Sequence, residues 1–189
     1  MSAVFDHLAV SAETLAAGGA HVEALLGVAL EPGGAHPAFG THNRLLSLGP
    51  RAYLEVIAVD PDAPPPDRPR WFDLDRFSGP PRLTNWIVRV DDLAAAQAAG
   101  AAPGAILDLE RGRYRWRMAV PEDGVLPHDN LHPAVIEWRG PHPAEALPDR
   151  GCRLARLILR HPEPERLAGL PGADDGRVRI EAGPAGLSA

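Results

Sequence analysis

The stretch "FDHLAVSAETLAAG" (residues 5–18) sets an imidazole where an apolar strand has no use for one. Val4, Leu8 and Val10 alternate with His7, Ala9 and Ser11 at the period of two of a half-buried strand. His7 therefore falls on the face opposite the apolar one. Two carboxylates stand in comparable settings: Glu55 between Leu54 and Val56, and Glu137 between Ile136 and Trp138. Burying such a group without a partner is costly, so if no metal binds, at least one of them is expected to pair with an arginine such as Arg89 or to carry a raised pKa. His42 and Asn43 in "GTHN" head another strand, where they either face the same cavity or bond a local turn. His132, in a loop, is a further candidate. Arg111, Arg113, Arg115 and Arg117 alternate with Tyr114, Trp116 and Met118, which describes a solvated face or, on a concave surface, a clamp for carboxylate or phosphate.

The elements that position these groups repeat. Residues 3–59 read as strand, helix, strand, strand, strand: Ser11, Glu13 or Thr14 caps the helix, and Leu15, Ala16, Val22, Leu25 and Leu26 form its apolar stripe. "GVALEPGGAHPAFG" (27–40) reads as a short strand followed by a Gly/Pro loop. "THNRLLSLG" and "AYLEVIAV" read as a hairpin pair. Residues 60–82 carry many prolines but also Trp71, Phe72, Leu74 and Phe77, so this connection is expected to lie over the body, across a cleft mouth. Residues 83–140 repeat the first pattern, with Asp91 or Asp92 at the helix cap and Trp86 in the core. His7 aligns with Asn85, and "YLEVIA" with "VIEWRG", setting Glu55 against Glu137. Residues 152–189 read as a third copy cut short, which must pack on another module or on a second chain.

Composition narrows the function. The chain has 189 residues and a formal charge of −6, which argues against binding nucleic acid through bulk positive charge. It contains no lysine, so Schiff-base and Walker-type phosphate chemistry are excluded. The lone Cys152 forms no internal disulfide and fits a reducing compartment. No signal-peptide pattern and no apolar run of 18 residues occurs, so a cytoplasmic protein without membrane contact is expected. The Ala/Gly/Pro/Arg bias points to a GC-rich, bacterial coding sequence.

The paired "FDHLAVSAETLA", "GTHNRLLSLG" and "YLEVIA" segments, in this order and spacing, resemble the vicinal-oxygen-chelate superfamily, and within it the glyoxalase-like domains. The resemblance covers most of residues 3–140. It implies an α+β fold: tandem βαβββ modules (3–59 and 83–140, joined by 60–82) form an open, curled mixed sheet with helices outside. A partial third module (152–189) completes a single domain. It also implies corner positions at His7, Glu55, Asn85 and Glu137. His7, Glu55 and Glu137 would then hold a divalent ion (Zn²⁺, Mn²⁺, Ni²⁺ or Fe²⁺), with Glu137 and His42 as catalytic groups. Asn43, Asn85, Arg89 and Trp71 would contact a small oxygen-bearing substrate.

The neutral Asn85 and the missing second histidine argue against extradiol dioxygenase activity, and against glyoxalase I proper. Two functions remain: a metal-dependent isomerase or lyase, or a metal-free binding protein of the bleomycin-resistance type. The expected partners are a small-molecule ligand and, if the modules pair between chains, a second copy in a homodimer.

Overall fold

A computed structural model describes residues 2–189 of the chain. The first half runs β1 (Val4–Ser11), α1 (Leu15–Leu26), β2 (Glu31–His36), β3 (Thr41–Ser47) and β4 (Tyr53–Val59). The second runs β5 (Arg82–Arg89), α2 (Leu93–Ala98), β6 (Ala105–Arg111), β7 (Tyr114–Val120) and β8 (Ala134–Trp138). All eight strands form one mixed sheet, ordered β2-β3-β4-β1-β5-β8-β7-β6. In each half the first strand lies parallel to the fourth, and antiparallel β1 and β5 join the halves at the centre.

Strand alternation sorts the side chains onto two faces. On the convex face, Phe5, Leu8, Val10, Leu46, Leu54, Val56, Trp86 and Val88 pack with the helices. On the concave face, Ala9, Ile57, Ile87, Trp116, Met118 and Ile136 form a second cluster. Thr14 caps α1 by accepting from the Ala17 amide, and Asp92 caps α2 through the Ala95 amide.

The buried stripe of α1 consists of Gly18, Gly19 and Val22, while Leu25 is 70% exposed. The expected stripe through Leu25 and Leu26 is therefore corrected. A Cβ on Gly18 would lie 2.6 Å from both Ala12 Cβ and Val56 Cγ1, so glycine is what lets the helix sit this close to the sheet.

A second correction concerns β2. The Gly/Pro segment "EPGGAH" is itself the strand, pairing with β3 across a register shift between Pro32 and Ala35. It is the edge strand of the sheet, the position that tolerates proline.

The C-terminal segment forms β9 (Leu157–His161), β10 (Val178–Ala182) and β11 (Gly186–Ser188), a separate sheet ordered β10-β9-β11. Its Leu157, Leu159 and Val178, with Leu167, join Phe5, Trp86 and Val88 in the convex core. It covers sheet surface that the six-residue α2 is too short to reach.

The proline-rich connection enters the concave side. Trp71, Phe72 and Leu74 are each 4% exposed and pack against Phe39, Ile57, Ile87 and Met118. Trp71 stacks on Phe39 with 4.0 Å between ring centroids. Phe72 and Asp73 adopt left-handed backbone angles (φ 59° and 58°), a costly conformation for non-glycine residues. The Asp73 amide donating to the Gly124 carbonyl holds them there. A Cβ at Gly124 would sit 1.9 Å from the Arg70 carbonyl oxygen, so only glycine admits this strap.

Candidate active site

β1 and β4 turn His7, Tyr53 and Glu55 onto the concave face, all three buried. The β1 pairing is irregular between Phe5 and His7, and this lets Asp6 also turn inward toward the seam between the halves. Asp6 is fully buried. Its Oδ1 accepts from His7 Nδ1 at 2.6 Å, and its Oδ2 accepts from Trp138 Nε1 at 3.1 Å and from His142 Nε2 at 3.0 Å. Arg89 lies 3.5 Å from the same oxygen. Burial pushes the Asp6 carboxyl up, but hydrogen bonds from His142 and His7 outweigh it and hold the group well below the usual carboxylate range.

An ionised Asp6 is acceptor-only, so His7 donates from Nδ1 and turns Nε2 toward Glu55. The ring stacks on Tyr53 at 4.2 Å, which fixes its plane. Its Nε2 faces Glu55 Oε2 at 3.7 Å, a gap too wide for a direct hydrogen bond.

Asn43 positions the other partner. Its Nδ2 donates to Glu55 Oε1 at 2.5 Å, while its Oδ1 accepts from the Gly34 amide at 2.9 Å. His36 approaches from the end of β2, with Nε2 4.0 Å from Glu55 Oε1 and Nδ1 bonded to Thr41 Oγ1. β2 and β6 are the two ends of the curled sheet, and the curl brings Arg111 of β6 round to donate to His36 Nε2 at 3.0 Å. Burial, reinforced by the guanidinium, keeps His36 well below the usual imidazole range and neutral.

The result is a small, half-open pocket of ≈ 20 Å³ lined by His7, His36, Tyr53, Glu55, Trp71 and Arg111, among others. That is room for about one water molecule. A larger groove of ≈ 470 Å³ shares its His36, Trp71, Arg111 and Trp116 walls.

Several expected site residues lie elsewhere. Glu137 points to the convex face, where it accepts from the Leu93 amide at 2.9 Å and pairs with Arg117 and Arg139, each at 2.6 Å. Its concave neighbours are Ile136 and Trp138. The register explains the error. Ala9 pairs with Glu55, and Ile87 pairs with Ala134. Matching His7 to Asn85 therefore matches Glu55 to Ala134, not to Glu137. The offset of three residues is odd, and an odd slip reverses the face of a strand side chain.

His42 also turns to the helix side, 3.8 Å from Asp60, and takes no part in the pocket. Arg89 donates to the carbonyls of Phe5 and Arg51 and steadies Asp6, so it serves the seam rather than a substrate. Asn85 is fully buried on the concave face with neither amide atom hydrogen-bonded, and it does not line the pocket. His132 bonds the Pro133 carbonyl. The arginine series splits: Arg115 and Arg117 pair on the outer face with Glu110 and Glu137, and only Arg111 reaches the pocket.

Four residues of the pocket network were missed in the sequence: Tyr53, which shares a strand face with Glu55, and Asp6, His36 and His142. Asp6 was visible only as half of the Asp-His pair. His36 lay in a segment that reads as loop, and His142 in a Pro-flanked stretch with no periodicity.

The divalent ion implied by the resemblance is tested by this donor set. Of its four corners, Ala134 has no donor, Asn85 lies outside the pocket, and only His7 and Glu55 share it. The third donor available, His36 Nε2, is taken by a guanidinium that would repel a cation. Among the described residues no three His, Cys, Asp or Glu side chains form a group able to hold a metal ion. The arrangement does not fit a metal.

A curled eight-stranded sheet made of two βαβββ halves, with polar groups at one inner corner, defines the vicinal-oxygen-chelate fold. The chain belongs to the Glyoxalase-like domain family, which matches residues 5–171. Among solved structures, a hypothetical protein from Staphylococcus aureus is similar over 97% of this chain and 87% of its own, with 15% identity and a TM-score of 0.68. A methylmalonyl-CoA epimerase variant from Streptomyces coelicolor, in complex with 2-nitronate-propionyl-CoA, matches 75% of this chain and 99% of its own. Its identity is 14% and its TM-score 0.50. At such identities the likeness is one of fold. No curated protein matches the chain. No helix of the described residues is long and apolar enough to cross a membrane.

Proposed function

We propose that this protein is an enzyme that moves a proton next to a carbonyl of a small oxygen-bearing molecule, an isomerase or lyase reaction run by His7 and Glu55 without a metal. The observation that carries this reading is the 3.7 Å gap between His7 Nε2 and Glu55 Oε2, two buried groups that face one another and are able to exchange protons. Asp6 fixes the His7 tautomer, and Asn43 holds one Glu55 oxygen so that the other faces the gap. Either group can take the proton from carbon, and the group so protonated, after exchange with solvent, returns a proton to the carbon or to the oxygen. Positioned acid–base pairs of this kind contribute about 10²–10⁴-fold. The epimerase with the related fold, whose name describes an isomerisation, is consistent with such chemistry.

The test is deuterium incorporation at the carbon next to the carbonyl of pyruvate and phenylpyruvate in D₂O, followed by proton NMR. Wild type should exceed the buffer rate with at least one compound, and His7→Gln and Glu55→Gln should lose about 10²-fold or more of that excess. Equal rates in wild type and Glu55→Gln, or no excess with either compound, count against the reading. A second reading, a binding protein without catalysis, draws on the contrast between an inner pocket of ≈ 20 Å³ and an outer groove of ≈ 470 Å³. It expects ligand binding with no exchange in any variant.

A further inference from the structure

The groove outside the pocket combines features that no step above uses. Arg111 stands at the junction, lining both the groove and the pocket. Its recorded partners are a neutral imidazole, His36 Nε2 at 3.0 Å, and the face of Tyr114 at 5.7 Å. No carboxylate among the described residues pairs with it, whereas Arg115, Arg117 and Arg139 each have one. A guanidinium facing a neutral ring is poorly matched, because a bidentate carboxylate would give two charge-assisted hydrogen bonds.

The surrounding walls are aromatic. Phe39, Trp71 and Trp116 line the groove, and His36 meets both tryptophans nearly edge-on, at interplanar angles of 76° and 85°. Asp108 and Glu110 border the groove from the outer side of β6, Glu110 paired with Arg115 and Asp108 without an ion pair among the described residues.

We infer that this groove is a binding site for a small aromatic monocarboxylate, whose carboxylate replaces His36 as the partner of Arg111 while its ring lies among Phe39, Trp71 and Trp116. The inference names the substrate class of the reaction site and rests on that reading, since Arg111 directs the ligand toward the His7–Glu55 gap. Binding and proton exchange are nonetheless measured separately.

Benzoate and benzamide share size and shape and differ in charge, so calorimetric titration of the purified chain with each isolates the role of Arg111. Benzoate should bind saturably to wild type, at least about tenfold more tightly than benzamide. Arg111→Met should lose that tenfold preference, and Arg111→Lys should retain part of it, with far-UV circular dichroism confirming the fold of both. If Arg111→Met does not fold, the benzoate-to-benzamide ratio on wild type still decides. Glu55→Gln should bind benzoate at least as tightly as wild type, because a nearby negative charge is gone, even where it abolishes exchange. Benzoate that does not bind, that binds no better than benzamide, or that binds equally to Arg111→Met overturns the site. Failure of exchange with benzoate binding intact overturns only the proposed reaction.

Discussion

The two halves of the sheet share one topology and use their inner corners in opposite ways. In the first half, β1 and β4 present His7 and Glu55 to a pocket, with Asn43 and His36 arranged around the carboxylate. In the second, the matching positions are Asn85 and Ala134, and the concave surface beside them is filled by Trp71, Phe72 and Leu74 from the connecting strap. A duplicated half-barrel thus supplies two equivalent corners, and here one keeps polar groups around a pocket while the other is turned into core. The carboxylate that could have completed a second chemical corner, Glu137, instead binds the N-terminal amide of α2 from the outside. The symmetry of the backbone does not carry over to the side chains.

The filled corner offers the largest effect. Trp71→Ala would remove a buried indole that packs against Phe39 and Phe72, and should destabilise the chain by about 3–5 kcal/mol in urea unfolding. A cost below about 1 kcal/mol would mean the strap lies loosely over the concave face, and the contrast between the corners would fade.

The polar corner should announce itself through pH. His36 is held neutral in the folded chain and titrates near its ordinary value of 6.5 when unfolded. As pH falls below 6.5 the unfolded state binds the extra proton, so this group's contribution to stability is complete above 6.5 and is lost on acidification. The loss is at most about 1.4 kcal/mol per pH unit. Unfolding curves at pH 7.5 and 5.5 should differ less in His36→Gln than in wild type; an unchanged difference would show that His36 titrates freely. The smallest effect is expected from His42→Ala, which should alter exchange by no more than about threefold because its ring lies on the helix side. A larger loss would mean that β3 turns the other way.

These contrasts also show what the sequence could and could not disclose. His7 and Glu55 were legible because each interrupts a clean period-two apolar pattern, which settles the face of a strand residue without any knowledge of its neighbours. The strap's burial was legible too, since four large apolar side chains do not stay in water between prolines. Glu137 misled because period-two alternation is relative. Local pattern shows that Glu137 opposes Ile136 and Trp138, but which of those sets faces the cleft depends on pairing with β5, a long-range register. His36 was hidden because an edge strand can be built from glycine and proline, which locally signal a loop. Arg111 was hidden within a run of arginines. Only the tight turn after it decides which guanidiniums share a face.

If the first half alone carries the chemistry, comparing Glu55→Gln with Glu137→Gln in the same deuterium-exchange assay is the most direct measurement of it. Glu55→Gln should lose about 10²-fold or more of the exchange, while Glu137→Gln, although less stable, should stay within about threefold of wild type at a temperature where both are folded. Equal losses in the two variants, or a larger loss in Glu137→Gln, would contradict it.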